Sequence, residues 1–355
     1  MLSFLLVTIP VNLTNTLQSE AMLELTEFGK EDVYIEHPDY VSYSEDKQLI
    51  RDELANRQSF FDENNIDIHL HATYFYMGNL YADDPDTALS LGSFQTINTN
   101  RTDDYLEGTA PQLANEIAVS ELALERIEAN VGDYVHLTIG GESNRYLITG
   151  SYPTVSDMGF TVRLSENVDV EGKKSTIWLK GSFEDRDHIE EQIDQLIALS
   201  PEYQIITAPE LGEQFFGGLQ NTASSVQYLL LAIALLINLL ITALMSKSFF
   251  IKDLPQIALL KNLGFRNWAI QLWQGLRILF VILLALIVGM LMSTPLNQIL
   301  ASALFSSVGA GNMSLYIIGW QIYLLYPLIL LVMPIIVLFI TTRSVKKIKL
   351  SDMEK

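Results

Sequence analysis

VQYLLLAIALLINLLITALMS, residues Val226 to Ser246, carries no Lys, Arg, Asp or Glu. A hydrocarbon core about 30 Å thick is crossed by ~20 such residues in a helix. Inside lipid the backbone amides must be satisfied within the segment, so the stretch is helical almost regardless of its propensities. Two more stretches follow it, Leu276 to Thr294, charged only at Arg277 at its entrance, and Ile322 to Thr342. Three buried helices of a soluble core are the reading set aside. The last third of the chain is expected to be an integral membrane α-helical bundle with three complete spans.

Charge orients the bundle. Lys247, Lys252, Lys261, Arg266 and Arg277 lie between the first and second spans, opposed by Asp253 alone. Arg343, Lys346, Lys347, Lys349 and Lys355 dominate the tail, 343–355, whereas Pro295 to Gln321 is uncharged. Short cytoplasmic loops retain Lys and Arg, so the basic loop and tail are expected inside and the uncharged loop outside. The segment ahead of Val226 is then outside as well, which predicts a multi-pass protein of the plasma membrane.

That segment, taken as 18–222, holds 39 acidic and 12 basic residues, a net charge of −27 against −20 for the whole chain. Phosphate-rich partners would be repelled, which argues against nucleic acid. Cationic ligands such as basic peptides are permitted, although a solvated, self-repelling surface accounts for the same numbers. The chain has no cysteine, so disulfides are excluded, and about 200 residues suffice to fold around an apolar core without them.

At the amino end LSFLLVTIPVNL, Leu2 to Leu13, is apolar but contains Pro10, and as a helix it would extend only ~18 Å. No basic residue precedes it and no small-residue cleavage site is obvious, so it does not read as a signal peptide. Residues 1–17 are expected to be the outer half of a spanning helix, and the chain a fragment or one half of a larger membrane protein.

Within 18–222 the pattern is mixed α and β. Ile66, Ile68, Leu70, Ala72, Tyr74 and Tyr76 alternate with Asp67, His69, His71, Thr73 and Phe75, the period of a strand with one buried face. His69 and His71 then share a face, but with no third ligand at useful spacing a solvent-facing pair is expected and no metal site. YADDPD, Tyr81 to Asp86, lacks the spacing and closing glutamate of a calcium loop and reads as an acidic surface loop. Glu116 to Ser120 predicts a strand leading into a helix to about Ala129. Tyr134 to Ile139 and Arg145 to Gly150 predict strands about the Gly140–Gly141 turn. Asp185 to Leu199 has helical spacing, and Tyr203 to Thr207 reads as a strand. From Pro209 a helical pattern runs into the first span, with Gly217–Gly218 as the one candidate bend.

TAPQLANEIAVSELALERIEANVGDYVHL, Thr109 to Leu137, resembles the extracytoplasmic core domain of MacB-type and FtsX-like permeases of ABC transporters. The pieces that carry the resemblance are Gly108, Pro111, Asn115, Glu116, Ile117, Val131, Gly132 and Asp133. LPQIALLKNLGF, Leu254 to Phe265, is similar to the segment that follows the family's second span, with Gln256 where the family usually has Glu. The resemblance covers Ala110 to Tyr152 and Pro209 to Lys349 well and the rest loosely, including Phe28 to Thr102. It implies an α+β extracytoplasmic domain of MacB core type on the FtsX-like transmembrane domain, 223–355.

The resemblance also implies a role for the segment 252–267 as the coupling helix that rests in a groove of a cytosolic ATPase. Ile257, Leu260, Lys261 and Gly264 would lie on one side of a short amphipathic helix that Gly264 ends with positive φ. Leu254, Leu259, Leu260, Leu263 and Phe265 would supply apolar contact, and Lys252, Lys261 and Arg266 a polar rim. An interfacial helix anchored on anionic lipid, which Trp268 also suits, is the plainer reading.

No G-x-x-x-x-G-K-[ST] occurs in the chain, so no cofactor is expected on it and ATP is expected on a partner subunit. No catalytic constellation is recognisable, and no span carries an ionisable residue at its centre. Asn238 is expected to bond between helices, and Pro327 and Pro334 to mark kinks. The expectation is a permease subunit that is not itself an enzyme, coupling ATP hydrolysis to motion of the outer domain for export or extraction of a peptide, lipoprotein or drug. Its expected partners are a cytosolic ABC ATPase, a second permease half or copy, and lipid. A regulator of the same fold, activating a wall hydrolase or reporting antimicrobial peptides, is the alternative. A passive anchored adhesin is a third class and would have no ATPase partner.

Overall fold

The computed structural model describes residues 2–29, 31–36, 47–98, 105–170, 172, 173, 175–183, 188–311 and 313–342. The predicted basic tail and the predicted helix start at Asp185 lie outside the described residues. The chain divides into two units. A helical unit comprises Met1–Gln18, Gly218–Ala301 and Ser314–Lys355, and a sheet unit comprises Ser19–Gly217 and Ser302–Met313.

In chain order the elements begin with α1 (Leu2–Leu17), α2 (Glu20–Glu24), β1 (Val33–Glu36), α3 (Lys47–Glu63), β2 (Ile68–Tyr81) and β3 (Leu89–Ile97). They continue with β4 (Glu107–Gly108), β5 (Glu116–Ser120), α4 (Glu121–Ile127), β6 (Tyr134–Ile139), β7 (Glu142–Tyr152), β8 (Thr161–Leu164) and β9 (Thr176–Phe183). The remainder are α5 (Ile189–Leu199), β10 (Gln204–Thr207), α6 (Ala208–Lys252), α7 (Leu254–Asn262), α8 (Asn267–Ser306) and α9 (Tyr326–Thr342).

β2 organises the sheet unit because its 14 residues serve three partners. β3 pairs along one edge; on the other, the first half of β2 pairs with β9 and its last residues, Gly78 to Tyr81, with β6. Following partners from β3 through β8, β5, β7 and β6 returns to β2, so these six strands close into a ring. β9, β1 and β10 branch from it in that order. Closure removes the open edges that an acidic surface would otherwise have to guard. Gly140 and Gly141, at φ +59° and +85°, make the β6–β7 turn that their sequence predicts.

The one-faced reading of β2 needs correction. Ile68, Leu70, Ala72, Tyr74 and Tyr76 are buried as expected, yet His71 and Thr73 on the opposite face are buried as well. α3 binds β2 through Gln58, which donates to Ile68 O and accepts from Leu70 N–H. The other face is covered by the segment leading into β1, described below. Alternation reports one apolar face, but it does not report a polar face that is also covered. The Tyr81–Asp86 stretch ends in an exposed turn in which Asp84 Oδ1 caps the Asp86 N–H at 2.9 Å.

In the helical unit α6 and α8 span 45 and 40 residues, and α9 follows a π turn at Gln321–Leu325. Among the described residues, three helices are long and apolar enough to cross a membrane. α6 is unbroken at Gly217–Gly218. α8 passes through Pro295 and continues to Ser306, so the first part of the expected Pro295–Gln321 loop is helix. Leu296, Ile299, Leu300 and Leu304 keep the helical spacing there, and one proline deletes one backbone donor without reversing that pattern. The π turn closes on the Tyr326 N–H to Gln321 O bond, just ahead of Pro327.

α1 runs to Leu17, the end expected of it, and within its last turn the Thr14 and Thr16 hydroxyls donate back to Pro10 O and Asn12 O, at 2.9 and 2.7 Å. Phe4, Val7 and Val11 pack with Ala234, Leu286, Ile322, Tyr326 and Leu330. Polar pairs add register. Ser3 Oγ donates to Asn238 Oδ1, Asn297 Nδ2 to Thr8 Oγ1 and Asn15 Nδ2 to Gln321 Oε1, each near 3 Å. Asn238 thus makes the interhelical bond expected of it, a contact of ~0.6 kcal/mol in an apolar bundle.

Candidate functional site

α7 begins where α6 ends. Asp253 N–H donates to Phe249 O of α6, and Asp253 O accepts from Ile257 N–H of α7, so a single residue turns the chain between two helices. α7 is terminated by the pair of bonds that a left-handed residue makes possible: Gly264 N–H to Lys261 O at 3.0 Å and Phe265 N–H to Leu260 O at 3.1 Å. Gly264 has φ +88°, as its position predicts.

The faces of α7 divide differently from the expected pattern. Ile257 is fully buried against Ile270, with Leu254, Leu260 and Phe250 partly buried around them. Leu259, Leu263 and Phe265 are 54%, 67% and 54% exposed, and Trp268 stands out beside them. Lys261 is half-buried, while Lys252, Gly264 and Arg266 are exposed. Ile257 and Leu260, grouped by sequence with Lys261 and Gly264 on one side, therefore hold the helix to its own bundle. The outward face is itself apolar, so α7 is not amphipathic in the usual sense. An apolar surface of this kind is uncovered only where lipid or another protein is meant to cover it.

The eight motif residues of the sheet unit fall around β7 and act on the backbone. Gly108 at φ +76° pairs with Gly150, and a Cβ on it would lie 2.1 Å from Thr149 O, so only glycine lets β4 approach β7. Glu116 Oε2 accepts from the Gln112 and Leu113 N–H groups at 2.8 and 2.9 Å, closing the turn that contains Pro111. Asn115 O receives Leu147 N–H and Ile117 is buried beside β7. Gly132 N–H donates to Ile148 O, Asp133 O receives Ile148 N–H, and Asp133 Oδ2 caps Asn130 N–H; Val131 packs partly against the core. These residues act through backbone bonds and packing within the sheet unit, and Pro111 also lines the cavity described next.

A buried ionic group is the feature that sequence reading missed. Glu27 receives Arg163 Nε at 2.9 Å, and Lys180 Nζ donates to Glu27 O at 2.6 Å. Arg163 also stacks 3.9 Å from the Tyr152 ring. His71, 2% exposed, donates from Nε2 to Glu31 Oε1 at 3.1 Å, and its Nδ1 finds no partner among the described residues. Burial holds the His71 imidazole below its ordinary value against the pull of Glu31. The expected solvent-facing pair is corrected: the rings of His69 and His71 do share a face, stacked 6.3 Å apart, but His71 is sealed and His69 is tied to Asn98 O. Glu27, Glu31, His71, Arg163 and Lys180, with Tyr105, line a cavity of about 350 Å³. The only signal that could have found them was the density of charge in apolar strand positions, Arg163 in TVRL and Lys180 in TIWLKGSF.

The same segment is strapped by backbone. Val155 N–H and Thr154 Oγ1 both donate to Leu25 O, and Glu27 N–H donates to Ser156 Oγ. Thr154 N–H donates to Gly309 O, and a Cβ on Gly309 would meet Thr154 O at 2.7 Å. The loop after β7 thus grips Leu25 and Gly309 together.

Residues 228–350 match the model of the FtsX-like permease C-terminal family. No curated protein matches the chain. Among solved structures, the extracellular domain of the noncanonic ABC-type transporter YknZ from Gram-positive bacteria is 10% identical, with a TM-score of 0.32 over 50% of this chain and 99% of that one. A domain described as that of a permease protein from Porphyromonas gingivalis is 12% identical, with a TM-score of 0.29 over 41% of this chain and 75% of the other. Both are distant likenesses. The family match takes in LPQIALLKNLGF, Leu254 to Phe265, the segment whose resemblance to the family the sequence shows.

Proposed function

We propose, with the FtsX-like match over residues 228–350 as premise, that this chain is the membrane subunit of an ATP-driven ABC transporter, with α7 as its coupling helix. The reading is carried by one observation: Leu259, Leu263 and Phe265 stand exposed on a helix whose opposite face is fixed to its own bundle by Ile257 and Ile270. Such a helix offers a partner an apolar knob without having to unfold, and groove docking of this kind uses anchors three to four residues apart. Basic residues on either side of α7 place it in the cytoplasm by the charge rule, which leaves the acidic sheet unit outside.

Energy comes from a cytosolic ABC ATPase, a reading supported by the FtsX-like match over residues 228–350. Nucleotide-driven movement of that ATPase displaces α7, and the sheet unit answers by shifting between two arrangements, which requires that nucleotide state bias them differently. The working unit pairs this chain with a second copy or half, and the cargo handled outside is a peptide, lipoprotein or drug.

The test is co-purification from the native membrane. The wild-type chain is expected to retain a cytosolic ATPase, and Leu259→Asp with Leu263→Asp to lose it. Both sites are exposed, so the doubly substituted chain should still fold. An ATPase bound equally well by that variant would overturn the assignment of α7.

A further inference from the structure

Asp253 is the only acidic residue between Ala223 and Thr342, and it is 8% exposed. It precedes the first residue of α7, where an aspartate usually bonds the free N–H groups of the helix that follows. Here it makes no such bond. Its Oδ2 instead accepts from two residues of α8, Gln274 Nε2 and Arg277 Nη1, both at 2.9 Å. Gln274 and Arg277 are three apart and so lie on one side of that helix. Arg277 also rests 4.9 Å from the ring of Phe249 on α6. The one-residue turn between α6 and α7 is therefore tied through its carboxylate to α8, and Ile257 against Ile270 repeats the α7–α8 contact one turn away.

We propose that Asp253 is a positioning residue, a joint that makes α7 and the adjoining end of α8 move as one body. The inference rests on the proposed coupling role of α7. Without the joint, a push on Leu259 and Leu263 would be absorbed at the one-residue turn between α6 and α7. With it, the push reaches α8 through a charge-assisted bond, stronger and more directional than a neutral one. A carboxylate that merely neutralised Arg277 could have kept its bond to α7; this one gives the cap up and accepts from Gln274 as well.

The experiment uses the full chain in lipid nanodiscs with the ATPase that co-purifies with it. Because the chain has no cysteine, Leu113→Cys, at an exposed site of the sheet unit, gives one position for an environment-sensitive fluorophore. Two quantities are read, ATPase affinity and the ATP-dependent change in emission. Asp253→Ala should leave affinity within about twofold and reduce the emission change by about tenfold. Arg277→Met, at a half-exposed partner, should do the same, the double variant should be no worse than either, and Asp253→Asn, which keeps the acceptor but not the charge, should give a signal between that of Asp253→Ala and the wild type. If Asp253→Ala does not fold, Arg277→Met gives the reading alone. Weakened ATPase binding with a normal signal, or additive losses in the double variant, would overturn the joint. Failure of the wild-type chain to bind any ATPase would overturn the proposed function and the joint with it, a different result from wild-type binding and an undiminished signal in the variants, which removes the joint alone.

Discussion

His71 shows how little a residue's type says once its strand is covered on both faces. The sequence places it correctly beside His69, but nothing local reports that Glu31, 40 positions earlier, meets it or that Arg163 and Lys180 bracket the neighbouring Glu27. Such pairings are set by strand register, and a single strand does not display its neighbours. Gly264 was legible for the opposite reason: a left-handed stop needs only its own helix. A pH dependence follows from His71. Its folded value is depressed below 6.5 by burial, so as pH falls through 6.5 the unfolded chain takes up a proton that the folded chain refuses. Unfolding free energy is then lost from that point downward until the buried imidazole itself titrates. Denaturant midpoints of the solubilised chain should drop between about pH 7.5 and about pH 5.5. His71→Gln, which still donates to Glu31, should flatten that drop.

Elements with a strong local period were the readable ones. β5 and β6 fall on the predicted residues, Glu116–Ser120 and Tyr134–Ile139, because short apolar alternation between turn residues leaves few alternatives. The continuation of α8 through Pro295 was not readable, since a proline after an apolar run is usually a stop and only the bundle shows that it is not. The start of α6 is a reciprocal cap. Thr207 N–H and Oγ1 donate to Glu210 Oε2 at 2.9 and 3.0 Å, and Glu210 N–H returns a long bond to Thr207 Oγ1. The Thr207 N–H bond holds the Glu210 carboxyl below its ordinary value. Its contribution is therefore complete above pH 4.5 and lost as pH falls through the folded value. Thr207→Ala should cost about 1 kcal/mol in chemical unfolding, and amide exchange should rise first in 208–211.

At the scale of the whole molecule the sequence separates membrane spans from an acidic α+β body but misses where the body ends. Ser302–Met313, read as part of an outside loop, belongs to the sheet unit. Its attachment is made by backbone groups, Thr154 N–H to Gly309 O, and by glycines that clear space; contacts of that kind leave no side-chain signature. A fragment covering only 19–217 should consequently exchange the Thr154 amide faster than the full chain does, and exchange mass spectrometry on the two will show it. The same arrangement has a consequence for biogenesis. The ribosome delivers Ser302–Met313 only after the residues of two spans, a delay on the order of ten seconds at about 5–20 residues per second. For that interval the nascent body waits without its last peptide, so quality control at the membrane has a natural window in which to judge whether the spans were inserted.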